Sequence, residues 1–309
     1  EWRGDFHGDY LHAHSYRVPE PYRGRHVLVV GTGNSAVDIA ADICTVTAST
    51  TLCGRSRVLI MPRMMFGVPM SRILAKIVRP WLPWFIKRSA RETLTWAVHG
   101  RMEQWGLRTP KKKTHATTHP SLMGHFVWGR VSAKPGIRSI QGSEIEFVDG
   151  TRSSYDTVIA ATGYDYWIGF LPAELQPAGN AGLNLYLRMV HPAAQNLLFM
   201  GFFNVNGGGN IRLMDHQATW LTEVIAGNLR LPAPTRMEQV IERERTYLRR
   251  RFPHAIRYAI ELEPRRYLSQ MRREGMIGRL HAMLRNIRLP NRGSGRRQAS
   301  IGHSHVTTG

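Results

Sequence analysis

The sequence has no apolar run long enough to cross a membrane. A spanning helix needs roughly 18 uninterrupted apolar residues, and every apolar stretch of these 309 residues is shorter. There is no charged-then-apolar leader, and the first residue is Glu1 rather than Met. We therefore expect a cytoplasmic protein, and we expect the sequence to be a fragment of a longer one.

Cysteine is nearly absent. Cys44 and Cys53 lie nine residues apart and form no CxxC pair, which argues against a redox-active dithiol and a zinc site and fits a reducing compartment. Three pairs of histidines are close in sequence: His12 and His14, His115 and His119, and His303 and His305. None has a third ligand at useful spacing, so we predict no metal site.

Acidic residues are scarce. The chain has 22 Asp and Glu against 42 Lys and Arg, and residues 236–309 hold 17 arginines against six acids. Such an excess binds phosphate polymers or anionic lipid, but it also serves as a solvated helical surface, which is the interpretation we favour. The aromatic segment from Trp81 to Phe85 precedes basic residues, so a peripheral membrane contact stays open beside a substrate-channel or core position. We expect no specific nucleic-acid partner.

What is present predicts an α/β protein. Hydrophobic residues make up 42% of the chain, as in globular proteins. The apolar run His26–Val30 predicts a strand, residues 34–46 predict a helix, and Ser49–Cys53 predicts a second strand. Residues 57–60 continue that strand or form another. This order predicts parallel strands with a right-handed crossover.

The rest of the chain alternates helical and strand patterns. Residues 71–104 have apolar and basic residues at helical spacing, and prolines within 80–87 split them into two helices or a helix and a loop. The further predictions are a polar loop at 111–118, a hairpin turn at Asp149-Gly150, buried strands at 156–161 and 196–201, a helix at about 214–227, charged helices beyond Pro234 and a low-order tail after Pro290.

A glycine turn joins the first strand to its helix. The turn reads Gly31-x-Gly33-x-x-Ala36, a spacing that in this context indicates dinucleotide binding. Gly31 permits the tight turn, Gly33 lets the backbone approach a pyrophosphate, and Ala36 lets the helix pack close to the strand. The helix N-terminus then presents unpaired N–H groups to the phosphates.

The end of the second strand favours NADPH over NADH. An NAD site usually has Asp or Glu there to hold the ribose 2′-hydroxyl, but Cys53 is followed by Gly54-Arg55-Ser56-Arg57. A guanidinium grips a 2′-phosphate bidentately, and a hydroxyl adds a hydrogen bond. The alternative is that these arginines are merely exposed loop residues.

The residues before the glycine turn resemble a family signature. Phe6-x-Gly8-x-x-x-His12-x-x-x-Tyr16 matches the FxGxxxHxxxY signature of flavin-containing monooxygenases, which lies just before the NADPH-binding turn. In that family the histidine links domains and takes no part in the chemistry. Baeyer–Villiger monooxygenases are similar but usually carry Trp followed by Pro or Asp where this chain has Tyr16 and Arg17.

Three later motifs extend the resemblance to roughly residues 5–232. GTGNSAVDIA at 31–40 resembles the family's GxGNSGxDIA, with Ala36 in place of the third glycine. FVDGT at 147–151 followed by DTVIAATGY at 156–164 resembles the family's closing segment. DHQATW at 215–220 resembles the family's ExQARW helix, with Asp for Glu and Thr for Arg.

The resemblance implies a fold with a Rossmann-like NADPH-binding domain and the C-terminal portion of a Rossmann-like FAD-binding domain. No second strand–GxGxxG–helix occurs, and the Gly207-Gly208-Gly209 loop lacks the spacing, so the FAD pyrophosphate turn is not in this sequence. The predicted segments are a signature-bearing linker at 1–21, an NADPH-binding domain at 22–155, the returning part of the FAD domain at 156–235, and a basic helical extension and tail at 236–309.

The resemblance further implies an NADPH-dependent flavin monooxygenase with FAD and NADPH as cofactors. It would insert one oxygen atom of O2 into a soft nucleophilic N or S centre of a small molecule, as N,N-dimethylaniline monooxygenases do, through a flavin C4a-hydroperoxide. A Baeyer–Villiger-type enzyme and an NADPH-binding fragment without activity of its own are the alternatives. A disulfide-type flavin reductase is disfavoured because CxxC is missing.

The resemblance implies a cofactor-binding role for every candidate site residue, and no catalytic side chain is assigned because the flavin would supply the chemistry. They are Gly31, Thr32, Gly33, Asn34, Ser35 and Ala36 at the pyrophosphate, Arg55 and Ser56 at the 2′-phosphate, and Thr162, Gly163 and Gln217 beside the flavin.

Overall fold

A computed structural model describes residues 5–77, 81–111, 117–164, 168–176, 183–205, 210–251 and 261–288. The strands are β1 (Asp9–His12), β2 (His26–Val30), β3 (Ser49–Cys53), β4 (Ile60–Met61), β5 (Met64–Met65), β6 (Val68–Pro69), β7 (Thr117–Thr118), β8 (Val131–Lys134), β9 (Ile137–Gln141), β10 (Glu144–Phe147), β11 (Arg152–Ser154), β12 (Thr157–Ala160), β13 (Val190–His191), β14 (Ala194–Leu198), β15 (Asn204–Val205) and β16 (Glu261–Leu262). The α-helices are α1 (Asn34–Ile43), α2 (Met70–Ile77), α3 (Trp84–His99), α4 (Leu122–Val127), α5 (Asn210–Ile225), α6 (Pro234–Arg251) and α7 (Pro264–Arg288).

A five-stranded parallel sheet in the order β1-β12-β2-β3-β8 carries the glycine turn. Both faces of β2 are covered: Val27 and Val29 belong to the core cluster that includes α1, while Leu28 packs with residues of β9 and β10. Burial on both faces explains why the strand sequence is a continuous apolar run. The predicted α/β fold and the predicted bounds of β2 and β3 are confirmed.

Helix α1 packs against this sheet through its small residues. Ala36, Val37 and Ala40 have no exposed surface, and the short side chains let the helix axis approach the strands. The helix ends at Ile43, three residues before the predicted end, and the Thr47 hydroxyl donates to the Ile43 carbonyl oxygen at 3.1 Å. A side chain that bonds a helix-terminal carbonyl competes with another helical turn.

The strand order reverses beside β2. From β2 the chain moves outward to β3 and β8, and it then returns to β12 on the other side of β2. The carboxyl ends of β2 and β12 therefore flank a topological switch point, which is where open parallel sheets bind ligands. The loops that follow these two strands contain the glycine turn and the ATG sequence, Ala161 to Gly163.

Other strands form smaller, separate sheets. Strands β9, β10 and β11 form an antiparallel meander, and Gly150 has a φ of 83° in the predicted hairpin turn. Strand β4 pairs with β7 in a separate parallel sheet, so residues 57–60 do not extend β3, and the loop predicted at 111–118 is wrong at Thr117–Thr118. Residues 112–116 of that loop lie outside the described part of the chain.

The chain divides into two compact units. The first comprises residues 1–183, 204–209 and 246–262, and the second comprises 184–203, 210–245 and 263–309. The central sheet in the first unit combines strands from three predicted segments, since β1, β2 and β12 lie within 1–21, 22–155 and 156–235. Those predicted boundaries stay predictions.

Helices dominate the second unit. Helix α5 begins at Asn210, four residues before the predicted start, and α6 and α7 confirm the predicted charged helices beyond Pro234. Gly278 of α7 lies close to Leu229, where a Cβ would come within 2.8 Å of a leucine methyl carbon. No described helix is both long and apolar enough to span a membrane. The triple glycine at 207–209 and the tail after Pro290 lie outside the described residues.

Candidate nucleotide site

A pocket of about 1680 Å³ opens at the carboxyl ends of β2, β3 and β12 in the first unit. Three loops contribute to its wall: residues 31–35 after β2, residues 54–58 after β3, and residues 161–164 after β12. The volume exceeds the roughly 300–1,000 Å³ of a site for a drug-sized ligand. A pocket of this size and position suits a dinucleotide.

Gly31 is required by the backbone around it. Its φ is 139°, and a Cβ at this position would overlap the carbonyl oxygen of Ala161 after β12. Its N–H also donates to the Cys53 carbonyl oxygen at 2.7 Å. Gly31 therefore joins the ends of three adjacent strands at the switch point, where any side chain would push them apart.

Gly33 has a different reason to be glycine. It is the N-cap of α1, with ordinary extended backbone, and a Cβ would meet no protein atom within 4 Å. The residue lines the pocket, and no side chain caps the helix. The missing Cβ thus leaves open space directly before the N–H groups of the first turn, which is the arrangement that binds a pyrophosphate.

Thr32 and Gly54 interlock the glycine turn with the end of β3. A Cβ on Gly54 would overlap the Thr32 methyl group, so Thr32 occupies the space that a side chain at position 54 would need. The Thr117 hydroxyl donates to the Thr32 carbonyl oxygen at 3.0 Å. Packing from one side and a hydrogen bond from the other fix the turn.

Arg55 combines a fixed backbone with an exposed side chain. Its carbonyl oxygen accepts a hydrogen bond from Arg108 Nη2 at 2.6 Å, and a Cβ on Gly136 would lie 3.0 Å from the Cβ of Arg55. The side chains of Arg55 and Ser56 are exposed and line the pocket. These two residues lie where the sequence predicts contact with a 2′-phosphate.

Three further arginines line the same pocket. Arg57, Arg63 and Arg91 join Arg55, and the described lining residues include no Asp or Glu. Burial lowers the pKa of Arg91. Sequence reasoning did not assign Arg63 or Arg91 to the site, because one follows a two-residue strand and the other lies in α3. The wall that results is strongly cationic and suits a polyanionic ligand.

The predicted site residues are only partly brought together. Gly31, Thr32, Gly33, Asn34, Ser35, Arg55, Ser56, Thr162 and Gly163 all line the pocket. Ala36 is fully buried in the core beneath the turn, where it packs α1 against the sheet. Gln217 lies in the second unit, also fully buried: it accepts a hydrogen bond from the Gly201 N–H at 2.9 Å and donates to the Tyr267 hydroxyl at 2.7 Å. The flavin role predicted for Gln217 stays a prediction.

The signature before the turn contributes packing at its first two positions. Phe6 is 6% exposed and lies in the cluster beneath β2 and β12. Gly8 has no room for a side chain, since a Cβ would lie 2.7 Å from the Phe6 ring and would overlap the Asp156 carbonyl oxygen. These two residues seat β1 against β12.

The signature histidine reaches the pocket wall. His12 Nε2 lies 2.9 Å from the carbonyl oxygen of Gly163, while its Nδ1 accepts the backbone N–H of His14 at 3.2 Å. Since Nδ1 is an acceptor and a carbonyl oxygen cannot donate, the proton is on Nε2. The imidazole is therefore held as one neutral tautomer that fixes the ATG loop.

Tyr16 attaches the signature to α1. Its hydroxyl donates to Asp42 Oδ2 at 2.5 Å, and its ring stacks on Tyr22 with centroids 5.8 Å apart. Burial, with a further contribution from Asp42, raises the pKa of Tyr16, so the phenol stays protonated and remains a donor at physiological pH. The signature thus clamps the loop after β12 and the helix after β2 to the same strand.

Both cysteines are free and buried. Cys53 is part of the pocket wall, its thiol donates to the Pro135 carbonyl oxygen at 2.9 Å, and burial raises its pKa to about 12. Among the described residues, no cluster of three His, Cys, Asp or Glu side chains could hold a metal ion. His115, His303 and His305 lie outside those residues.

Known proteins are similar to this chain in sequence and in fold. The chain is 28% identical over 256 residues to a mouse dimethylaniline monooxygenase [N-oxide-forming], a match that covers 77% of this chain and 45% of the relative. The structure of S-allyl-L-cysteine S-oxygenase from Allium sativum superimposes with a TM-score of 0.58 at 18% identity, covering 89% of this chain and 50% of the other. Closed cyclohexanone monooxygenase gives a TM-score of 0.61 at 14% identity, with coverages of 90% and 70%. At these identities the two structures support the fold alone.

The family match extends over most of the sequence. The chain spans less than half the length of the curated relatives that it matches first, between 41% and 45%. The family described as flavin-binding monooxygenase-like matches residues 3–278, which include the signature, the glycine turn and the ATG loop. The chain belongs to the flavin-binding monooxygenase-like family.

Proposed function

We propose that this chain supplies the NADPH-binding part of an NADPH-dependent flavin monooxygenase. The reaction would insert one oxygen atom of O2 into a soft nucleophilic N or S centre of a small molecule. The observation that carries the proposal is the pocket at the switch point, where an open helix N-terminus and four arginines line one cavity without a carboxylate among the described lining residues. That wall fits a pyrophosphate and an additional phosphate.

The residues present fit NADPH. The first turn of α1, left open by Gly33, would bind the pyrophosphate. Arg55 and Ser56 would bind the 2′-phosphate, because a guanidinium pairs with phosphate oxygens bidentately. Thr162 and Gly163 also line the pocket, His12 bonds the Gly163 carbonyl oxygen, and this loop would lie beside the flavin.

FAD is proposed as the second cofactor, on the strength of the family membership and of the ATG loop. When bound, reduced flavin supplies the electrons for oxygen activation. The part of this chain would be to hold NADPH at the carboxyl ends of the strands, with the arginine side chains of the pocket wall facing its phosphates. No side-chain nucleophile is needed, because the flavin would supply the chemistry.

Two alternatives remain within this proposal. A Baeyer–Villiger-type enzyme would bind the same cofactors and act on a ketone. An NADPH-binding fragment would bind the nucleotide without turning it over, which is consistent with a chain that spans less than half of its relatives.

Binding and turnover separate these possibilities. Calorimetric titration of the 309-residue chain with NADPH and NADH should show preferential NADPH binding. Flavin absorbance with NADPH consumption that requires an N,N-dialkyl aniline or a thioether supports N- or S-oxygenation, and consumption that requires a cyclic ketone supports the Baeyer–Villiger alternative. NADPH binding without turnover identifies a binding fragment, whereas failure to bind either nucleotide contradicts the proposed site.

We also propose a cytoplasmic location with peripheral membrane contact. The absence of a spanning helix among the described residues leaves surface contact as the mode to test. The basic residues of 236–309 and the aromatic segment from Trp81 to Phe85 support this proposal. Vesicle binding tests it independently of nucleotide binding.

A further inference from the structure

The hairpin Met64–Pro69 carries apolar side chains on its outer surface. Phe66 is 91% exposed, Met64 is 55% exposed, and Val68 is 42% exposed. Phe66 lies at the tip, between the paired strands β5 and β6. An aromatic residue this exposed contributes almost no burial to folding, and exposed apolar patches mark interaction sites.

The backbone at the tip disfavours phenylalanine. Phe66 and Gly67 have φ values of 51° and 72°, as both central residues of a type I′ hairpin turn do, and such turns prefer Asn-Gly or Gly-Gly. The left-handed conformation is unfavourable for a residue with a Cβ. Both the exposure of position 66 and its left-handed backbone favour Asn or Gly over Phe for folding, yet the chain has Phe there.

The base of the hairpin is anchored. The Met70 N–H donates to the Arg63 carbonyl oxygen at 2.9 Å, and Met61 and Met70 are 5% and 3% exposed. A fixed base below an exposed apolar tip presents that tip in one orientation.

The surrounding sequence has charge of one sign. Residues 43–91 contain nine Lys and Arg and no Asp or Glu. Arg72 and Lys76 lie on α2, which follows the hairpin directly, and both are exposed. Trp81 and Phe85, further along the segment, are 78% and 68% exposed. This combination matches an anionic lipid surface. The acyl chains of the lipids accept apolar side chains, and the anionic headgroups attract Lys and Arg.

We propose that the hairpin Met64–Pro69 docks this protein on an anionic bilayer, with Phe66 and Met64 inserted among the headgroups. A second copy of the chain would bring the same acid-free segment against itself, and a net charge of +20 opposes that contact. A nucleic acid offers phosphates but no apolar layer for the tip. The inference develops the proposed membrane contact and does not depend on the oxygenase activity.

Co-sedimentation of the 309-residue chain with phosphatidylcholine vesicles, with and without phosphatidylserine, tests the proposal. We expect binding to the phosphatidylserine vesicles that weakens when salt rises from about 0.1 M to about 1 M, since screening then acts within about 3 Å. The Phe66→Asn variant should partition about tenfold less, because a buried aromatic contributes roughly that factor. It should unfold no more easily than the parent, since Asn tolerates the left-handed conformation, and it should keep its affinity for NADPH.

Phe170→Asn is the matched control, because Phe170 is 80% exposed but lies outside the acid-free segment. It should bind vesicles as the parent does. Equal vesicle binding by the parent and by Phe66→Asn overturns the proposal. The proposal is also overturned if Met283→Ser, which changes an exposed residue of α7, abolishes vesicle binding while Phe66→Asn does not. A concentration-dependent dimer that Phe66→Asn dissolves would assign the hairpin to a second copy, and binding to duplex DNA that Phe66→Asn weakens would assign it to a nucleic acid. Either result overturns the membrane assignment.

Discussion

His12 Nε2 donates a hydrogen bond to the carbonyl oxygen of Gly163, 151 positions further along the chain, at 2.9 Å. The donor lies at the end of β1 and the acceptor in the loop after β12, and the two strands pair in parallel. The bond therefore sets the position of a pocket wall relative to the sheet. This makes His12 a positioning residue.

Replacing His12 should loosen that wall. We expect His12→Ala to lose about 1 kcal/mol of unfolding free energy and to weaken NADPH binding, while His12→Gln, whose amide can donate to the same carbonyl, recovers part of both. Urea unfolding and calorimetry measure the two effects. If Ala and Gln behave alike, the hydrogen bond is not what the side chain contributes.

The two turn glycines should respond differently to the same substitution. Gly31→Ala forces a Cβ into the Ala161 carbonyl oxygen at a left-handed φ, so we expect a loss of about 3 kcal/mol or more of unfolding free energy. Gly33→Ala meets open space and should cost less than about 1 kcal/mol, yet the methyl group would occupy the pyrophosphate position. Thermal unfolding and NADPH titration of both variants separate the roles, and NADPH affinity retained by Gly33→Ala would contradict the one proposed for Gly33.

The contact between Thr32 and Gly54 can be tested by rescue. Gly54→Ala places a Cβ on the Thr32 methyl group and should weaken NADPH binding by displacing the turn. Thr32→Ser alone should have little effect, and the double variant Gly54→Ala with Thr32→Ser should recover most of the affinity, because the overlapping methyl is gone. Additive losses in the double variant would show that the two residues do not act through this contact.

Cofactor preference should depend on Arg55. We expect Arg55→Ala to weaken NADPH binding about ten- to a hundredfold, the effect of removing a charge-assisted hydrogen bond, and to leave NADH binding unchanged. Arg265→Ala, an exposed arginine on α7 in the second unit, is the control. Equal losses for both nucleotides would instead place Arg55 at the pyrophosphate.

The buried thiols should be unreactive. Burial raises the pKa of Cys53 from 9.0 to about 12 and raises that of Cys44, so the neutral form persists well above physiological pH. Because the thiolate is the nucleophile, iodoacetamide at pH 8 should leave both residues unmodified in the folded protein and alkylate both in urea. Mass spectrometry of the two samples measures this, and rapid native labelling of Cys53 would contradict its burial.

Local patterns predicted the centre of the fold well. The bounds of β2 follow from its apolar run, β3 follows as the next strand of a βαβ unit, and the turn between β2 and α1 follows from glycine spacing. Strand β1 was not predicted, because Asp9–His12 has little apolar character and its partner Thr157–Ala160 is distant in the sequence. Pairing over such a separation leaves no periodic signal near either strand.

The same limit applies to the site. Arg55 and Ser56 were predicted because they follow a strand at a known distance from the turn. Arg63 and Arg91 required the structure, since helix α3 approaches the pocket only through tertiary packing. Ala36 is buried because its small side chain lets α1 pack close to the sheet, as its size suggests. It does not line the cavity, because it lies on the side of α1 that faces the core.

The position of β12 between β1 and β2 has a consequence for folding. The strand lies between two other strands of the sheet, but in the sequence it comes more than a hundred residues after β2. Until it is in place, β1 has no neighbour in this sheet and β2 has an open edge. Long-range parallel pairings of this kind slow folding, and an exposed edge invites pairing with other chains. A growing chain is therefore most vulnerable to aggregation before Thr157–Ala160 has joined the sheet.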